Sequence, residues 1–502
     1  MSEFKAKLAD TSRLCVEERP GPCTLVIFGA SGDLAKRKLV PALYNLYKRD
    51  LLPEKFDVVG FARSPMTDAE FRKQACDAIG ECCECPDSSK VEAFASKFHY
   101  RRGGYDDAES FGALSTKLSE LGARKTEQGC HVFYMATPPK VVPGIVSRLS
   151  GAGLLKVCPG GPVCSRVVVE KPFGYDLASA RALDRTLGEF LTERQIYRID
   201  HYVGKETVQN MMMFRFANAI FEPVWDHRYI DHVEITTAES IGVEGRAGYF
   251  DGTGALRDVF QNHLLQMMAI VAMDEPAAFD ADAVRDEKVR LLRSIRHADP
   301  KDACSGVVRG QYAGYLDEPG VAAGSQTETF VAAELEVDND RWRGVPFFLR
   351  TGKRLSRRAS EIAIFSKRIP RSMFAPFLGE GAYPNVLCFN VQPDEGISLS
   401  IQAKAPGPKL CMDTLAMNFR YKEAGLDLPD AYERLLLDCM QGDQMLFIRS
   451  DGLERAWSIV DPIRKGWDAG AGCGLMIYEP GSAGPAAADD LIGRTGRAWR
   501  GL

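Results

Sequence analysis

Apolar and polar positions divide the chain into two stretches with different grammar. In the first, short unbroken apolar runs alternate with helix-like segments. Cys23 to Phe28 is a β-branched run, the pattern of a strand buried on both faces of a parallel sheet. Phe56 to Ala62, His131 to Pro139 and Arg166 to Glu170 repeat it, and Gln195 to Asp200 closes the series. Between these runs, Leu34, Leu39, Leu43 and Leu46 mark a helix with a kink or restart at Pro41, and Asp176 to Glu193 is helix-like. This alternation predicts an α/β domain with a doubly wound sheet. After the helix expected at Val208 to Phe216 the grammar changes. Ile230 to Glu239 alternates like a half-exposed strand, and Glu328–Val337, Phe347–Arg350, Glu361–Phe365, Asn385–Gln392 and Gly396–Ala403 are further strands. Without regular helical crossovers, they predict an α+β domain with a large, mainly antiparallel sheet. We divide the chain into a polar arm at 1–20, a first domain at 21–205 and a second at 206–502.

Composition changes this picture little. The chain has 502 residues, 45% hydrophobic and 26% charged, as in ordinary globular enzymes of two domains. A net charge of −5 gives no global attraction to nucleic acid or to an anionic membrane, so anionic ligands must meet local basic clusters. No apolar run approaches the roughly 20 residues of a membrane helix. The first residues lack the apolar core of a secretory signal, and Trp499 to Leu502 is not a peroxisomal address. A cytoplasmic protein is expected, with its fourteen cysteines reduced. Cys82-Cys83-Glu84-Cys85 contains a Cys-x-x-Cys pair, but no second pair follows at zinc-ribbon spacing, and no metal is expected.

The chemistry gathers at strand ends. Cys23–Phe28 runs into Gly29-Ala30-Ser31-Gly32-Asp33-Leu34-Ala35, a glycine turn opening a helix, where backbone N–H groups meet a diphosphate. Its spacing departs from G-x-G-x-x-G, so alone it is weak. At the end of the next strand stands Arg63, where NAD-binding domains usually carry an acid; a basic residue suits a 2′-phosphate, unless Arg63 is a plain surface arginine. Together these predict a Rossmann-like fold. Lys171 follows a strand, and Pro172 keeps it extended. Arg198-Ile199-Asp200-His201-Tyr202-Val203-Gly204-Lys205-Glu206 then sets an acid, an imidazole, a phenol and an ammonium on one short segment. Such a set supplies a general-base pair and an anion clamp, against the plain reading of a solvated helix start. Farther on, Gly252 to Met273 is helical. Asp258 and His263 are five apart on it, about 140° around an α-helix, so they should not share a face. On periodicity alone His263 reads as a core histidine.

These runs, with Gly60-Phe61-Ala62-Arg63-Ser64, Glu170-Lys171-Pro172-Phe173-Gly174 and Arg257 to Met267, resemble the glucose-6-phosphate dehydrogenase family in kind and order, from about Leu25 to Trp457. The resemblance implies oxidation of D-glucose 6-phosphate to 6-phospho-D-glucono-1,5-lactone, with NADP⁺ as hydride acceptor and no metal. It makes His263 the general base and Asp200 its orienting partner. His201, Tyr202 and Lys205 would hold the phosphate. Lys171, Glu239, Asp258 and Lys353 would bind sugar oxygens, with Arg358 a second basic position. Gly29 to Leu34, Arg63, Tyr134 and Lys171 would hold the cofactor. It also implies a homodimer or homotetramer joined through the large sheet. Leu428 to Leu435 matches the family too and reads as a capped helix start.

Two rivals remain at this stage. A dehydrogenase of unphosphorylated sugars shares the glycine turn and Glu-Lys-Pro but has no need of the cluster at 201–205. A non-catalytic dinucleotide sensor has no need of both Asp200 and His263. Departures from the family are a short segment at Gly310 to Tyr315 and an insertion-like Leu155 to Ser165. Some members also hold a second, structural NADP⁺ on basic residues of the C-terminal domain. Here Ala359, Ala363, Asn390 and Ser400 stand in that region, with Arg350 and Gln392 remaining, so one nucleotide per subunit is expected unless Lys367 or Arg368 compensates.

Overall fold

The computed structural model describes residues 19–82, 87–123, 129–156, 165–296, 306–369, 384–408, 411–425, 428–470 and 474–502. Most of the N-terminal arm, Cys83 and Cys85 of the cysteine cluster, and 157–164 of the insertion-like stretch lie outside them.

Six strands form the first sheet: β1 (Cys23–Phe28), β2 (Phe56–Ala62), β3 (Phe98–Arg102), β4 (Cys130–Met135), β5 (Ser165–Val169) and β6 (Ile196–Arg198). Their order is β3-β2-β1-β4-β5-β6 and every pairing is parallel. All side chains of β1 are buried, because helices cover both faces. The order reverses between β1 and β4, and the crevice at their carboxyl ends is where such sheets take ligands. Gly29 follows β1 with φ +82°, and a Cβ there would meet Ala136 O beyond β4 at 2.5 Å. Only glycine fits that crossing. The helix after the turn begins as a wide turn at Ala35–Leu39, Val40 N–H reaching Ala35 O, and continues as Val40–Lys48 with Pro41 in its first turn.

The second sheet has nine strands: β7 (Ile230–Ala238), β8 (Val307–Tyr312), β9 (Phe330–Glu336), β10 (Pro346–Gly352), β11 (Ala359–Ser366), β12 (Val386–Gln392), β13 (Gly396–Lys404), β14 (Met412–Arg420) and β15 (Met476–Tyr478). Their order is β14-β13-β12-β11-β7-β10-β9-β8-β15. Only β7–β10 and β8–β15 are parallel, so the sheet is mixed and mainly antiparallel. Three of these strands were not expected: β8, β14 and β15. β8 takes in Gly310 to Tyr312, the first half of the segment that is short against the family.

The apolar helix Leu265–Ala272 is wholly buried and packs beside Ala281–Ser294 and Glu206–Phe216. The preceding segment, Leu256–Leu264, is a π-helix: Leu265 N–H reaches back to Phe260 O. At the far end, residues 497–502 are tied to the large sheet. Arg497 pairs with Asp231 at 2.7 Å, Arg500 N–H donates to Glu234 at 2.9 Å, and Trp499 lies over the Arg350 guanidinium at 4.4 Å. No described helix is long and apolar enough to cross a membrane.

Candidate active site

β6 ends at Arg198, whose guanidinium is locked to Asp184 and Glu193. The chain then turns through Asp200 and His201 before the helix Glu206–Phe216 starts at Lys205. The π-helix brings His263 to the same place. His263 Nδ1 lies 2.5 Å from Asp200 Oδ1, with both residues at most 2% exposed. Tyr202 N–H donates to that same oxygen at 3.0 Å, while Asp200 Oδ2 is buried without a partner. The His263 ring is stacked on Tyr202 at 4.3 Å and edge-on to His201 at 4.6 Å.

The other imidazole nitrogen faces Lys171. The lysine Nζ lies 3.0 Å from His263 Nε2, 2.8 Å from Asp258 O and 3.2 Å from Asp258 Oδ1. An ammonium only donates, so Nε2 accepts and the imidazole proton sits on Nδ1, directed at Asp200. Burial and the Lys171 charge hold His263 below the ordinary imidazole value, although Asp200 pulls the other way. Burial works against the Asp200 charge, but the imidazoles and the Tyr202 N–H outweigh it and keep the carboxyl low. The pair is therefore a neutral imidazole backed by a carboxylate.

One correction concerns the helix. Asp258 and His263 were expected on different faces, yet both meet the Lys171 ammonium. In a ladder of i to i+5 bonds, residues five apart come nearly above one another. The α-helical period used for the sequence reading does not apply to Leu256–Leu264.

His263 opens into a cavity of about 990 Å³, lined by Lys171, His201, Tyr202, Lys205, Glu239, Asp258, Lys353 and Arg358. All eight expected substrate positions thus share one cavity. The parallel ends of β7 and β10 bring Glu239 beside Lys353, whose Nζ donates to Glu239 Oε2 at 2.6 Å. Arg358 reaches Gln392 Oε1 at 3.2 Å, and Tyr202 hydroxyl lies 3.4 Å from Ser360 Oγ. Lys205 makes no ion pair within 4 Å among the described residues, and burial pulls its ammonium down to about 8. The sequence reading missed Lys38, Ser360, Glu395 and the 428–432 turn. That turn caps its helix through Asp430 but also lines the cavity, where Lys38 pairs with Asp430 at 2.8 Å.

The expected cofactor positions lie at the crevice of the first sheet. Gly32 N–H closes the turn onto Gly29 O at 2.8 Å, and Ser31 Oγ lies 3.2 Å from Ser64 Oγ, next to Arg63. Arg63 is exposed, rests over the Tyr105 ring at 5.7 Å and makes no ion pair among the described residues. Glycine turn, free guanidinium and helix start fit a phosphorylated dinucleotide. Ala30 is buried under this turn, while Asp33 is spent on Arg37 at 2.8 Å. The Tyr134 side chain is fully buried, and its hydroxyl donates to Glu170, the residue before Lys171, at 2.5 Å. In the region weighed for a second nucleotide, Arg350 is 2% exposed and bonds Arg500 O at 2.7 Å, while Gln392 is turned to Arg358.

A parallel dinucleotide-type sheet beside a buried carboxylate–imidazole pair defines a nicotinamide-dependent oxidoreductase. The model of the glucose-6-phosphate dehydrogenase NAD binding domain matches residues 26–210, and that of the C-terminal domain matches 212–500. The chain belongs to the glucose-6-phosphate dehydrogenase family. Glucose-6-phosphate 1-dehydrogenase 2 of Mycobacterium tuberculosis is 45% identical over 492 residues, covering 96% of this chain and 95% of that one. Glucose-6-phosphate 1-dehydrogenase of Aggregatibacter actinomycetemcomitans is 45% identical over 496 residues, covering 95% and 97%. A solved glucose-6-phosphate dehydrogenase in complex with its substrate glucose-6-phosphate superposes with a TM-score of 0.89 at 34% identity, covering 96% of this chain and all of that one.

Proposed function

We propose that this protein oxidises D-glucose 6-phosphate to 6-phospho-D-glucono-1,5-lactone with NADP⁺, the first oxidative step of the pentose phosphate pathway. The observation that carries this reading is His263, with Nδ1 held by Asp200 and Nε2 turned into a basic cavity. Nε2 is the base for the C1 hydroxyl proton. Lys171 now occupies that nitrogen, and the sugar hydroxyl takes its place while Lys171 stays on Asp258. As the proton arrives, Asp200 stabilises the imidazolium without taking a proton itself. When bound, the nicotinamide accepts the hydride from C1.

Lys205, His201 and Tyr202 hold the 6-phosphate, with Lys205 supplying the charge. Lys171, Glu239, Asp258 and Lys353 hold sugar oxygens and so fix C1 near Nε2. Arg358 extends the basic wall. Gly29 to Leu34 hold the diphosphate, and Arg63 meets the 2′-phosphate that distinguishes NADP⁺ from NAD⁺. Residues 21–205 act as the dinucleotide-binding unit, and 206–502 complete the substrate site and join subunits. The joining face we assign to β13 and β14, where Leu415 is 50% and Met417 48% exposed; an open edge strand of this kind pairs with a second copy. With no disulfide among its described cysteines, the protein suits the reducing cytoplasm.

The test is the absorbance of reduced nicotinamide with glucose 6-phosphate, glucose, NADP⁺ and NAD⁺ in all four combinations. The reading requires the phosphorylated sugar; comparable rates with free glucose would overturn it. Arg63→Ala is expected to weaken NADP⁺ far more than NAD⁺. Equal losses would make Arg63 merely structural.

A further inference from the structure

Cys23 and Cys130 are the first residues of β1 and β4, and they are register partners across the two strands. Paired strands run about 4.8 Å apart. That lies within the Cα separation of roughly 4.4–6.8 Å that a disulfide spans. The two side chains share one face, and their thiols are hydrogen-bonded to each other. The backbone at this end of both strands is anchored, Cys23 N–H to Lys55 O at 3.1 Å and Cys130 N–H to Pro22 O at 2.9 Å, so the two side chains are held opposite each other.

A fixed cation stands beside the pair. Arg166 of β5 is 5% exposed; its Nη1 donates to the Cys439 and Met440 carbonyls at 2.7 Å, and its Nε is buried without a partner. The Cys23 thiol, and then the Arg166 charge, draw the Cys130 thiol below its ordinary value against the effect of burial. Burial pushes the thiols of Cys76, Cys388 and Cys439 upward instead. Cys130 is also partly exposed, whereas Cys23 is 0% exposed. One thiol is therefore placed to meet an oxidant, and the other to resolve it.

We propose that Cys23 and Cys130 form a peroxide-sensitive dithiol that closes reversibly to a disulfide. The Cys130 thiolate attacks a peroxide oxygen, the O–O bond breaks, and hydroxide leaves to become water. The Cys23 sulfur then displaces the hydroxyl of the sulfenic acid, and its own proton departs with it as a second water. Two thiols lose two electrons and one peroxide becomes two waters. Closing the bond draws the two Cβ atoms in to about 3.8 Å, nearer than the strand spacing. Exchange with a dithiol reductant reopens the bond, which makes it reversible. The pair lies at the opposite end of β1 from the glycine turn, a strand length of roughly 17 Å.

The experiment uses the full chain, reduced and then freed of reductant, and titrated with hydrogen peroxide. Peptide mapping should show Cys23 and Cys130 joined at near-stoichiometric peroxide, before Cys82 or Cys411 reacts, and dithiothreitol should restore both thiols. In Cys23→Ala the sulfenic acid on Cys130 should persist and be captured by dimedone. The proposal fails if both residues remain open to alkylation while Cys82 or Cys411 is oxidised. It also fails if dimedone labels Cys130 equally with and without Cys23. The first measurement needs no variant, so a misfolded mutant cannot obscure it.

Discussion

Two charged clusters flank the end of β10, and they follow opposite rules. On one side, Arg350 bonds Thr236 and Arg500 O, Arg497 pairs with Asp231, and Arg500 pairs with Glu361 at 2.5 Å. Every cation there has its partner within the chain. On the other side, three residues along from Arg350, Lys353 faces the cavity. There Lys205 has no ion pair among the described residues, and Asp200 Oδ2 has no partner. Burying a charge unmatched is costly, so a matched cluster adds order and an unmatched one awaits a ligand. Lys353 and Lys171 are themselves paired there, with Glu239 and Asp258, so what sets the working cluster apart is the lone Lys205 ammonium and the unpartnered Asp200 Oδ2.

Substitutions can break that division. His263→Ala should lower turnover by about 10²–10⁴-fold while sugar binding stays within a few-fold, as initial rates and a binding titration would show. Near-normal turnover would remove His263 from its role. Arg350→Met should act the other way. It removes the hydrogen bonds to Thr236 Oγ1 and Arg500 O and leaves those buried acceptors short of a donor, so stability should fall by about 1–3 kcal/mol in denaturant melts while KM holds. A raised KM with unchanged stability would mean that the matched cluster serves the site.

Lys205→Thr should raise KM for glucose 6-phosphate by a contact worth about 1.5–3 kcal/mol and narrow the discrimination against glucose. If both sugars respond alike, the phosphate contact lies elsewhere. The same residue sets a pH effect. Burial lowers Lys205 to about 8, so its charge is present below that pH and lost above it. KM should therefore climb through pH 8 in the native chain and stay flat there in Lys205→Arg. The smallest effect is a count: nucleotide bound to the cofactor-free chain should reach one per subunit, because the tail already engages Arg350. A second equivalent would show that the matched cluster can exchange its own carbonyls for phosphate.

Much of this was legible in the residues because it is local. The glycine turn, the parallel strands and the run from Arg198 to Glu206 each carry their signal within a few positions. β14 was not legible, since its residues are exposed on both faces and show no buried side. The Lys38–Asp430 contact joins positions 392 apart, and no periodicity reports such a meeting. Asp258 and His263 were misplaced for a different reason: an α-helical period was applied to a stretch that is wound more widely.

That wider winding can also be seen as ancestry. A π-helical turn is what an α-helix becomes when one extra residue is lodged in it and the flanking turns keep their register. The segment Leu256–Leu264 thus behaves as a one-residue insertion absorbed without lengthening the path. Removing one residue between Asp258 and His263 would relax the stretch to the narrower winding, with the turns on either side still in register. A deletion there is therefore absorbed locally, where in an ordinary α-helix it would turn every later side chain by about 100°.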